Sequence, residues 1–184
     1  MIGIAHARRG RCHLAITVAV LAALAGPTAF AGTDDCGNLL LDPSETCASC
    51  PADCRPATCA PAGTRRLAID LTAPRGVTVS AVTLQLAYRT DRLTIPGEGM
   101  AQPVAQRVTP LADVQSLSSN DLGYALRLAL VRGQGLADGA LVEIAFDGCA
   151  GAAAPSAPDL RCTVEGCAGG AGPVNGCTCA VRVL

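Results

Sequence analysis

From about residue 65 to the end of the chain, apolar and polar residues alternate with a period of two. This period places the apolar side chains on one face of an extended strand and the polar side chains on the other. Residues typical of turns separate the alternating segments, so each segment is predicted to be one strand. The five clearest segments are 67–71, 82–88, 124–130, 141–146 and 179–183, and three shorter candidates are 93–95, 104–108 and 162–164.

This pattern predicts an all-β fold. After residue 31 no segment keeps a 3.6-residue apolar period over three turns, and the closest, 111–117, is long enough for one short turn of helix. About seven to nine short strands, each with one apolar face, predict an antiparallel two-sheet sandwich, and an open barrel is the alternative. The core is mostly aliphatic, and its large rings are expected to be Tyr88, Tyr124 and Phe146.

The first 31 residues have the organisation of a secretory signal peptide. Three arginines precede an apolar run over 14–25, and the small-x-small site Ala29-Phe30-Ala31 follows. The run is shorter than the about 20 residues that a membrane-spanning helix needs, so no membrane span is expected. We predict a secreted protein, located outside the cell, in the periplasm or at the cell surface. The predicted organisation is a signal peptide over 1–31, a cysteine-rich module over 32–60, a linker over 61–66 and the sandwich over 67–184.

Cysteine is abundant, and ten of the 11 cysteines remain once Cys12 leaves with the signal peptide. An even number in an exported chain predicts disulfides. The alternative is a zinc site, because Cys47, Cys50 and Cys54 have ligand-like spacing. Each half of the chain holds five cysteines, so full oxidation requires an odd number of bridges between the halves, most simply one. The ten residues are Cys36, Cys47, Cys50, Cys54, Cys59, Cys149, Cys162, Cys167, Cys177 and Cys179.

The pairing of the C-terminal cysteines is partly readable from their spacing. Cys177 and Cys179 are two residues apart, so on a strand they face the same side and need separate partners. We expect Cys149 to pair with Cys162, closing a flexible Gly-Ala-rich stretch, and Cys167 to pair with Cys177 or Cys179. The last C-terminal cysteine is then expected to reach the N-terminal cluster.

Composition excludes several kinds of chemistry. Both histidines lie in the predicted signal peptide, and the rest of the chain has no histidine, lysine or tryptophan. A Ser-His-Asp triad, a histidine-ligated metal and a Schiff-base lysine are therefore excluded from the secreted protein. Without the three signal-peptide arginines, 11 of the 14 basic residues face 15 acidic ones, which argues against nucleic-acid binding.

The acidic residues do not predict a hydrolase either. Glycoside hydrolysis needs two carboxyl groups in a cleft, whereas the available acids are expected on outward strand positions or in turns, where water solvates them. The absence of tryptophan, and the inward phase of the three rings, also disfavour a flat aromatic platform for polysaccharide, although sugar binding through polar loops is left open. The acids considered are Asp70, Asp91, Asp121, Glu143 and Asp147.

Two stretches resemble cohesin domains. In 82–93 a strand ends in the aromatic Tyr88, polar residues turn the chain, and Leu93 restarts it; in 124–146 a strand, a glycine-bearing loop and a core strand follow one another. The resemblance covers about residues 65–184 and implies a sandwich related to bacterial carbohydrate-binding modules. It also implies, as partners, the calcium-loaded dockerin modules of secreted enzymes. The chain itself carries no dockerin, and its C-terminal cysteines are not typical of cohesins.

The 32–60 segment is similar to cysteine-rich repeats of exported bacterial proteins. In these repeats Cys-Gly-Asn precedes an acidic turn, and Cys-x-x-Cys-Pro-x-Asp-Cys closes the unit. Leu39 and Ser44 occupy positions where such repeats often have glycine, which leaves open whether the local turn is the same. Fewer than about 40 residues cannot bury a sufficient apolar core, so cross-links must stabilise the module.

Two sets of candidate binding residues emerge. Asn38, Asp42, Glu45 and Asp53 supply four oxygen ligands, and calcium takes about six to eight, so a small calcium site is one interpretation. Ordinary Asx and capping turns are the alternative and are favoured, because the spacing is not that of an EF-hand. No other cofactor is expected.

For a protein partner the solvent-facing positions of the strands matter. Arginine is enriched in interface hot spots, so Arg89 and Arg127 are candidates, together with the neighbouring Gln85; a plain solvated face is the alternative. The predicted function is a secreted, non-enzymatic binding module resembling cohesin, which holds a dockerin-like protein partner at the cell exterior. The alternative is a carbohydrate-binding module that acts in polysaccharide breakdown.

Overall fold

The structure is a computed structural model that describes residues 36–184, so the predicted signal peptide lies outside the described residues. In the described part of the chain, ten strands, one short helix and one 3₁₀ turn follow one another. The strands are β1 (Pro61–Thr72), β2 (Val79–Tyr88), β3 (Leu93–Thr94), β4 (Val108–Pro110), β5 (Ser116–Asp121), β6 (Ala125–Leu136), β7 (Gly139–Cys149), β8 (Leu160–Gly169), β9 (Gly172–Pro173) and β10 (Thr178–Val183). The helix α1 is Gln102–Ala105, and the 3₁₀ turn is Ala157–Asp159.

The strands form two antiparallel sheets of five strands each, which confirms the predicted all-β, two-sheet architecture. The first sheet has the order β10-β1-β7-β3, with β4 also pairing β7, and the second has the order β5-β6-β2-β8-β9. Alternate residues of the long strands pack between the sheets, as the period of two predicts. Examples are Leu67 and Ile69 of β1, Leu84 of β2 and Leu128 of β6.

The interior contains two rings rather than the expected three. Tyr88 and Phe146 are buried, and their ring centroids lie 4.9 Å apart in an edge-to-face arrangement. Tyr124 is half-buried and lies outside this core, against Leu40 and Leu41. The prediction for Tyr124 is wrong because β6 begins one residue later, at Ala125, so the alternation of the strand does not fix the side on which Tyr124 lies.

The segment 61–66, predicted to be a linker, is the first half of β1. Pro61 is paired with Cys149 and Arg66 with Ala145 of β7. A proline at the first position of a strand is tolerated, because its missing N–H is needed least there. The prolines and glycine that suggested a linker therefore mark the entry into the sheet.

Two further segments differ from the prediction. The strand expected over 104–108 is divided between α1 and the start of β4, because Pro103 fits the first turn of a helix, where no N–H is required. The segment 111–117 contains no helix and leads instead into β5. Strand β5 is missed by the sequence pattern because its sequence is rich in serine and its inward positions include Ser119 and Asp121.

All ten cysteines of the described chain are paired, and five disulfides indicate an oxidising setting such as the cell exterior. A single bridge, Cys59–Cys149, joins the two halves, as predicted from parity. Cys177 and Cys179 have separate partners, again as predicted, and Cys167 pairs with Cys177. Within the range from 36 to 184 no helix has the length and apolar character needed to cross a bilayer.

The expected Cys149–Cys162 bridge is wrong. Cys149 ends β7 in the first sheet, opposite the start of β1, whereas Cys162 lies on β8 in the second sheet. Cys162 instead bonds Cys179 of β10, so this disulfide joins the two sheets. The zinc alternative loses its thiolates, because Cys47 is bonded to Cys54 and Cys50 to Cys36.

Candidate functional site

The fully buried carboxylate of Asp53 organises the first turn of the N-terminal module. It accepts hydrogen bonds from the backbone N–H groups of Gly37, at 3.0 Å, and Leu39, at 2.7 Å. Leu39 has φ 65°, the left-handed conformation in which a glycine costs least. The chain therefore makes a glycine-type turn at this position in spite of its leucine, and the two hydrogen bonds to Asp53 hold it in place.

The four predicted calcium ligands do lie in this module, and each is engaged in hydrogen bonds. The Asn38 side chain accepts from the N–H of Leu40 at 2.7 Å and donates to Asp42 at 3.2 Å. Glu45 accepts from the backbone N–H of Asp42 at 3.0 Å. These are the contacts of Asx and capping turns, the interpretation favoured from the sequence.

One group of potential ligands is closer together. Oxygen atoms of Glu45 and Asp53 and the sulfur atoms of Cys36 and Cys50 lie within 4.8 Å of one another. The two sulfur atoms are bonded to each other, so they are not available as thiolate ligands. Calcium binding by Asn38 and its neighbours therefore stays a prediction.

The module packs on the outer face of the second sheet. Leu40 is buried against Ala87 of β2 and Ala125 of β6, with Leu41 and Tyr124 beside it. Alanines at these two positions leave room for the leucine above the sheet. This contact covers one end of the outer face.

Polar contacts and one disulfide also hold the module to the sandwich. Asp42 forms an ion pair with Arg161 of β8 at 3.2 Å. The hydroxyl group of Tyr124 lies 3.2 Å from the sulfur of Cys47, and because that sulfur is part of a disulfide, the hydroxyl is the donor. The N–H of Ala57 donates to Thr90 at 3.0 Å, and the Cys59–Cys149 bridge follows. The module is thus held against one end of the outer face, and we call the side of the module that borders the open part of the face the module wall.

The rest of this outer face, which we call the second-sheet face, is built mostly from small side chains. Pairing of β2 with β6 sets Ala81 opposite Val131, Thr83 opposite Ala129, and Gln85 opposite Arg127. Its outward positions on β5 and β8 add Ser116, Ser118, Asn120, Thr163, Gly166 and Ala168, and β8 also presents Arg161 and Glu165 toward the module. By contrast, the outer face of the first sheet is crossed by ion pairs, Arg66–Glu143, Asp70–Arg182 and Arg107–Asp147.

A cleft of about 330 Å³ lies where the module wall meets the second-sheet face. Across its floor, Arg127 donates from Nε to the side-chain oxygen of Gln85 at 3.3 Å and forms an ion pair with Glu165 at 3.0 Å. Sheet residues lining the cleft are Gln85, Ala87, Tyr124, Arg127, Thr163 and Glu165, and module residues lining it are Leu41, Asp42, Pro43, Glu45, Thr46 and Cys47.

The structure brings together two of the three predicted partner-binding residues, Gln85 and Arg127. Arg89 is not among the residues that line the cleft; it lies just after β2, where its guanidinium pairs with Asp91 at 2.7 Å. This pairing lowers the pKa of Asp91 below its ordinary value and raises that of Arg89. Glu165 and Tyr124 were not predicted, and only the docking of the module reveals them as cleft residues.

The acidic residues considered for catalysis are dispersed. Asp70 pairs with Arg182, which lowers the pKa of its carboxyl group, and Asp147 pairs with Arg107 at 2.8 Å. Asp121 was expected in a solvated turn but is buried, and this expectation is wrong. Its carboxylate accepts a hydrogen bond from the Tyr88 hydroxyl at 2.8 Å.

Burial raises the pKa of Asp121 above its ordinary value of 3.8, and the nearby negative charge of Glu98 acts in the same direction. Between the two pKa values the folded protein holds a proton that the unfolded chain has already lost. The contribution of Asp121 to the free energy of unfolding is therefore fully present below about pH 3.8 and is lost as pH rises through the raised pKa. Asp121→Asn keeps an acceptor for Tyr88 and for the N–H of Gly123 and removes the charge.

We therefore expect the stability of Asp121→Asn, relative to wild type, to increase with pH across this window and then level off. Urea unfolding of both proteins at a series of pH values from acid to neutral measures this difference. A difference that is constant with pH, or that decreases, contradicts the assignment.

Comparison of the chain with protein-family models, with curated proteins and with solved structures gives no match. The functional assignment therefore depends on the chain's own geometry.

Proposed function

We propose that this protein is a secreted, non-enzymatic binding module that holds a protein partner on its second-sheet face. The observation that carries the proposal is the difference between the two outer faces of the sandwich. The first-sheet face is occupied by cross-strand ion pairs. The second-sheet face offers small side chains and one exposed valine, and its ion pairs Arg127–Glu165 and Arg161–Asp42 lie at the module end.

Small side chains favour a close approach by a partner. From Ala81 to Gln85, before the module covers Ala87, β2 extends about 13 Å at about 3.3 Å per residue. Over this length the face of β2 and β6 carries only one charged side chain, Arg127. Depletion of charge at the centre of a contact surface, with arginine at its edge, is typical of protein interfaces.

The end of the face remote from the module is apolar. Val131 is 42% exposed, because neighbours such as Ala129 are too small to cover it. Beside it, Ala81, Thr83, Ala168 and Pro173 line a shallow depression of about 400 Å³. A partner side chain placed in this depression would remove apolar surface from water, which is the main favourable contribution in most associations.

The chemistry of the chain supports a binding function over catalysis. The five acids considered for catalysis are dispersed in separate ion pairs or buried with Tyr88, and none of them lines the cleft. Of the three carboxylates that line it, Asp42 and Glu165 are paired with Arg161 and Arg127. The resemblance to cohesins makes a dockerin-like module the first partner to test. Saccharide recognition, the alternative function, is favoured by one feature, the cleft beside Tyr124.

Thr83→Arg tests the protein-binding face. A long charged side chain at the centre of the small-residue surface is expected to weaken partner binding at least tenfold, because it blocks close approach and must lose its hydration. The matched control is Thr109→Arg on β4, an exposed threonine paired with Glu143 on the other sheet, and it should bind like wild type.

The probes are a panel of purified calcium-loaded dockerin modules and the purified exported proteins of the source cell, measured by biolayer interferometry. The proposal fails if no protein of either set binds. It also fails if Thr83→Arg and Thr109→Arg reduce binding equally.

A further inference from the structure

We infer that Asn175 is a site of spontaneous covalent modification, at which its side-chain amide reacts with the backbone nitrogen of Gly176 and is converted to a carboxylate. Asparagine is one of the thermolabile residue types. The two residues lie in the exposed segment between β9 and β10. The inference concerns the chain by itself and does not rest on the proposed protein partner.

The reaction requires only these two residues and water. The Gly176 nitrogen attacks the side-chain carbonyl carbon of Asn175, and a new C–N bond forms. The amide nitrogen of Asn175 leaves as ammonia, with the proton that the Gly176 nitrogen gives up, and a cyclic succinimide remains. Water then adds to one of the two ring carbonyl carbons and breaks its bond to the ring nitrogen. The product is aspartate or isoaspartate, according to which bond breaks.

The local structure leaves the attacking nitrogen free. Gly176 has φ 86°, in the left-handed region that glycine adopts readily, and it has no side chain to shield its nitrogen. Within the described part of the chain, neither the N–H of Gly176 nor the side chain of Asn175 takes part in a hydrogen bond. The attack therefore breaks no existing contact.

The other two asparagines of the chain are held in place by the fold. Asn38 is followed by Leu39, whose N–H donates to the buried carboxylate of Asp53 at 2.7 Å. Asn120 lies within β5, and the N–H of the next residue, Asp121, donates to a backbone carbonyl at 2.8 Å. At both sites the nitrogen that would attack is already bonded, so the same reaction would have to open a turn or a strand first.

The segment stays attached to the sandwich whichever product forms. On its N-terminal side, the N–H of Val174 donates to the carbonyl of Cys167 at 2.8 Å. On its C-terminal side, Cys177 directly follows Gly176 and is bonded to the same Cys167 of β8. Isoaspartate adds one methylene group to the backbone, and this addition lies between the two attachments. We therefore expect both sheets to remain folded after the reaction.

The modification places a new negative charge beside the second-sheet face. Asn175 lines a depression of about 320 Å³ together with Glu165 and Pro173. Pro173 also lines the shallow apolar depression beside Thr83. The converted protein thus carries one more negative charge, located at the border of this apolar depression.

The test incubates the full oxidised mature chain at neutral and at mildly alkaline pH. Peptide mapping by mass spectrometry locates the mass increase that replacement of NH₂ by OH produces, and an isoaspartyl methyltransferase assay on the separated peptides measures isoaspartate. We expect Asn175 to react at least tenfold faster than Asn38 or Asn120 and to give both aspartate and isoaspartate. The reaction should be faster at the higher pH, because the nitrogen attacks after losing its proton, and circular dichroism should not change.

Two controls separate the local structure from the reactivity of the dipeptide. Asn175→Gln should remove the early release of ammonia, since its longer side chain closes a less favourable ring. In the reduced chain, unfolded in urea, Asn38 and Asn120 should react faster than in the folded protein, whereas Asn175 should react at a similar rate.

Three results overturn the inference. The first is an absence of conversion at Asn175, or conversion to aspartate without isoaspartate. The second is conversion of Asn38 or Asn120 as fast as that of Asn175 in the folded protein. The third is an acceleration of Asn175 on unfolding as large as that of the other two, which would mean that the fold protects it as well.

Discussion

Replacement of both Cys59 and Cys149 by serine is expected to lower the free energy of unfolding by about 4–5 kcal/mol. The bridge closes a separation of 90 residues, the longest of the five, so its loss releases the largest amount of conformational entropy in the unfolded chain. It also secures the entry of β1 beside the end of β7, where the N–H of Ala150 bonds the carbonyl of Ala60 at 2.8 Å.

The matched control is the double serine variant of Cys47 and Cys54. This bridge closes a separation of only 7 residues, for which the same relation gives about 2–3 kcal/mol. Urea unfolding followed by circular dichroism under oxidising conditions compares the two variants. If the short bridge proves as important as the long one, chain entropy is not the main reason that the disulfides stabilise this fold.

Phe146→Ala is expected to cost about 3–5 kcal/mol. Phe146 is fully buried on β7 and packs edge-to-face with the Tyr88 ring. Tyr88 and Phe146 are the rings of this core and its other members are aliphatic, so no further aromatic side chain is available to replace the lost ring. The loss combines apolar transfer, the cavity and the aromatic contact, the last of which contributes about 0.5–1.5 kcal/mol.

Two control variants distinguish cavity formation from a general effect of mutation. Phe146→Leu restores most of the volume and, as a conservative core exchange, should cost under about 1.5 kcal/mol. Val131→Ala, at an exposed position of the second-sheet face, should change stability by about 0.5 kcal/mol or less. Thermal and urea unfolding measure all three. A Phe146→Ala loss as small as that of Val131→Ala would mean that the two sheets do not pack around this ring.

The strands with aliphatic inward positions could be predicted because burial of one face imposes the period of two. Strand β5 could not, since its inward Asp121 is stabilised by a hydrogen bond from Tyr88, 33 residues earlier in the chain. A polar residue of this kind looks like part of a turn until its distant partner is known. The same reasoning applies to residues 61–66, whose place in β1 depends on pairing with β7.

Parity of the cysteines correctly predicted a single bridge between the halves, because it requires no knowledge of geometry. The individual pairs depend on which strands lie next to each other. Cys162 bonds Cys179 because β8 of the second sheet packs against β10 of the first sheet. Local loop length, which suggested Cys149–Cys162, does not contain this information.

The candidate site was predictable only in part. Gln85 and Arg127 follow from strand alternation, which places both on the outer face. Tyr124 and Glu165 become cleft residues because Leu40 docks the module on two alanines of the sheet. Docking of two segments far apart in sequence leaves no periodic signal, so the wall of the cleft is a property of the fold alone.

The most direct test of the proposed binding face is site-specific photo-crosslinking. A benzophenone amino acid is placed at position 83 on the second-sheet face and, in a separate protein, at position 109 on the first-sheet face, and each is irradiated with the exported proteins of the source cell. We predict one dominant crosslinked partner at position 83, absent at 109, that excess unlabelled wild type competes away and excess Thr83→Arg does not. The same crosslinks at both positions, or equal competition by Thr83→Arg, would contradict the account.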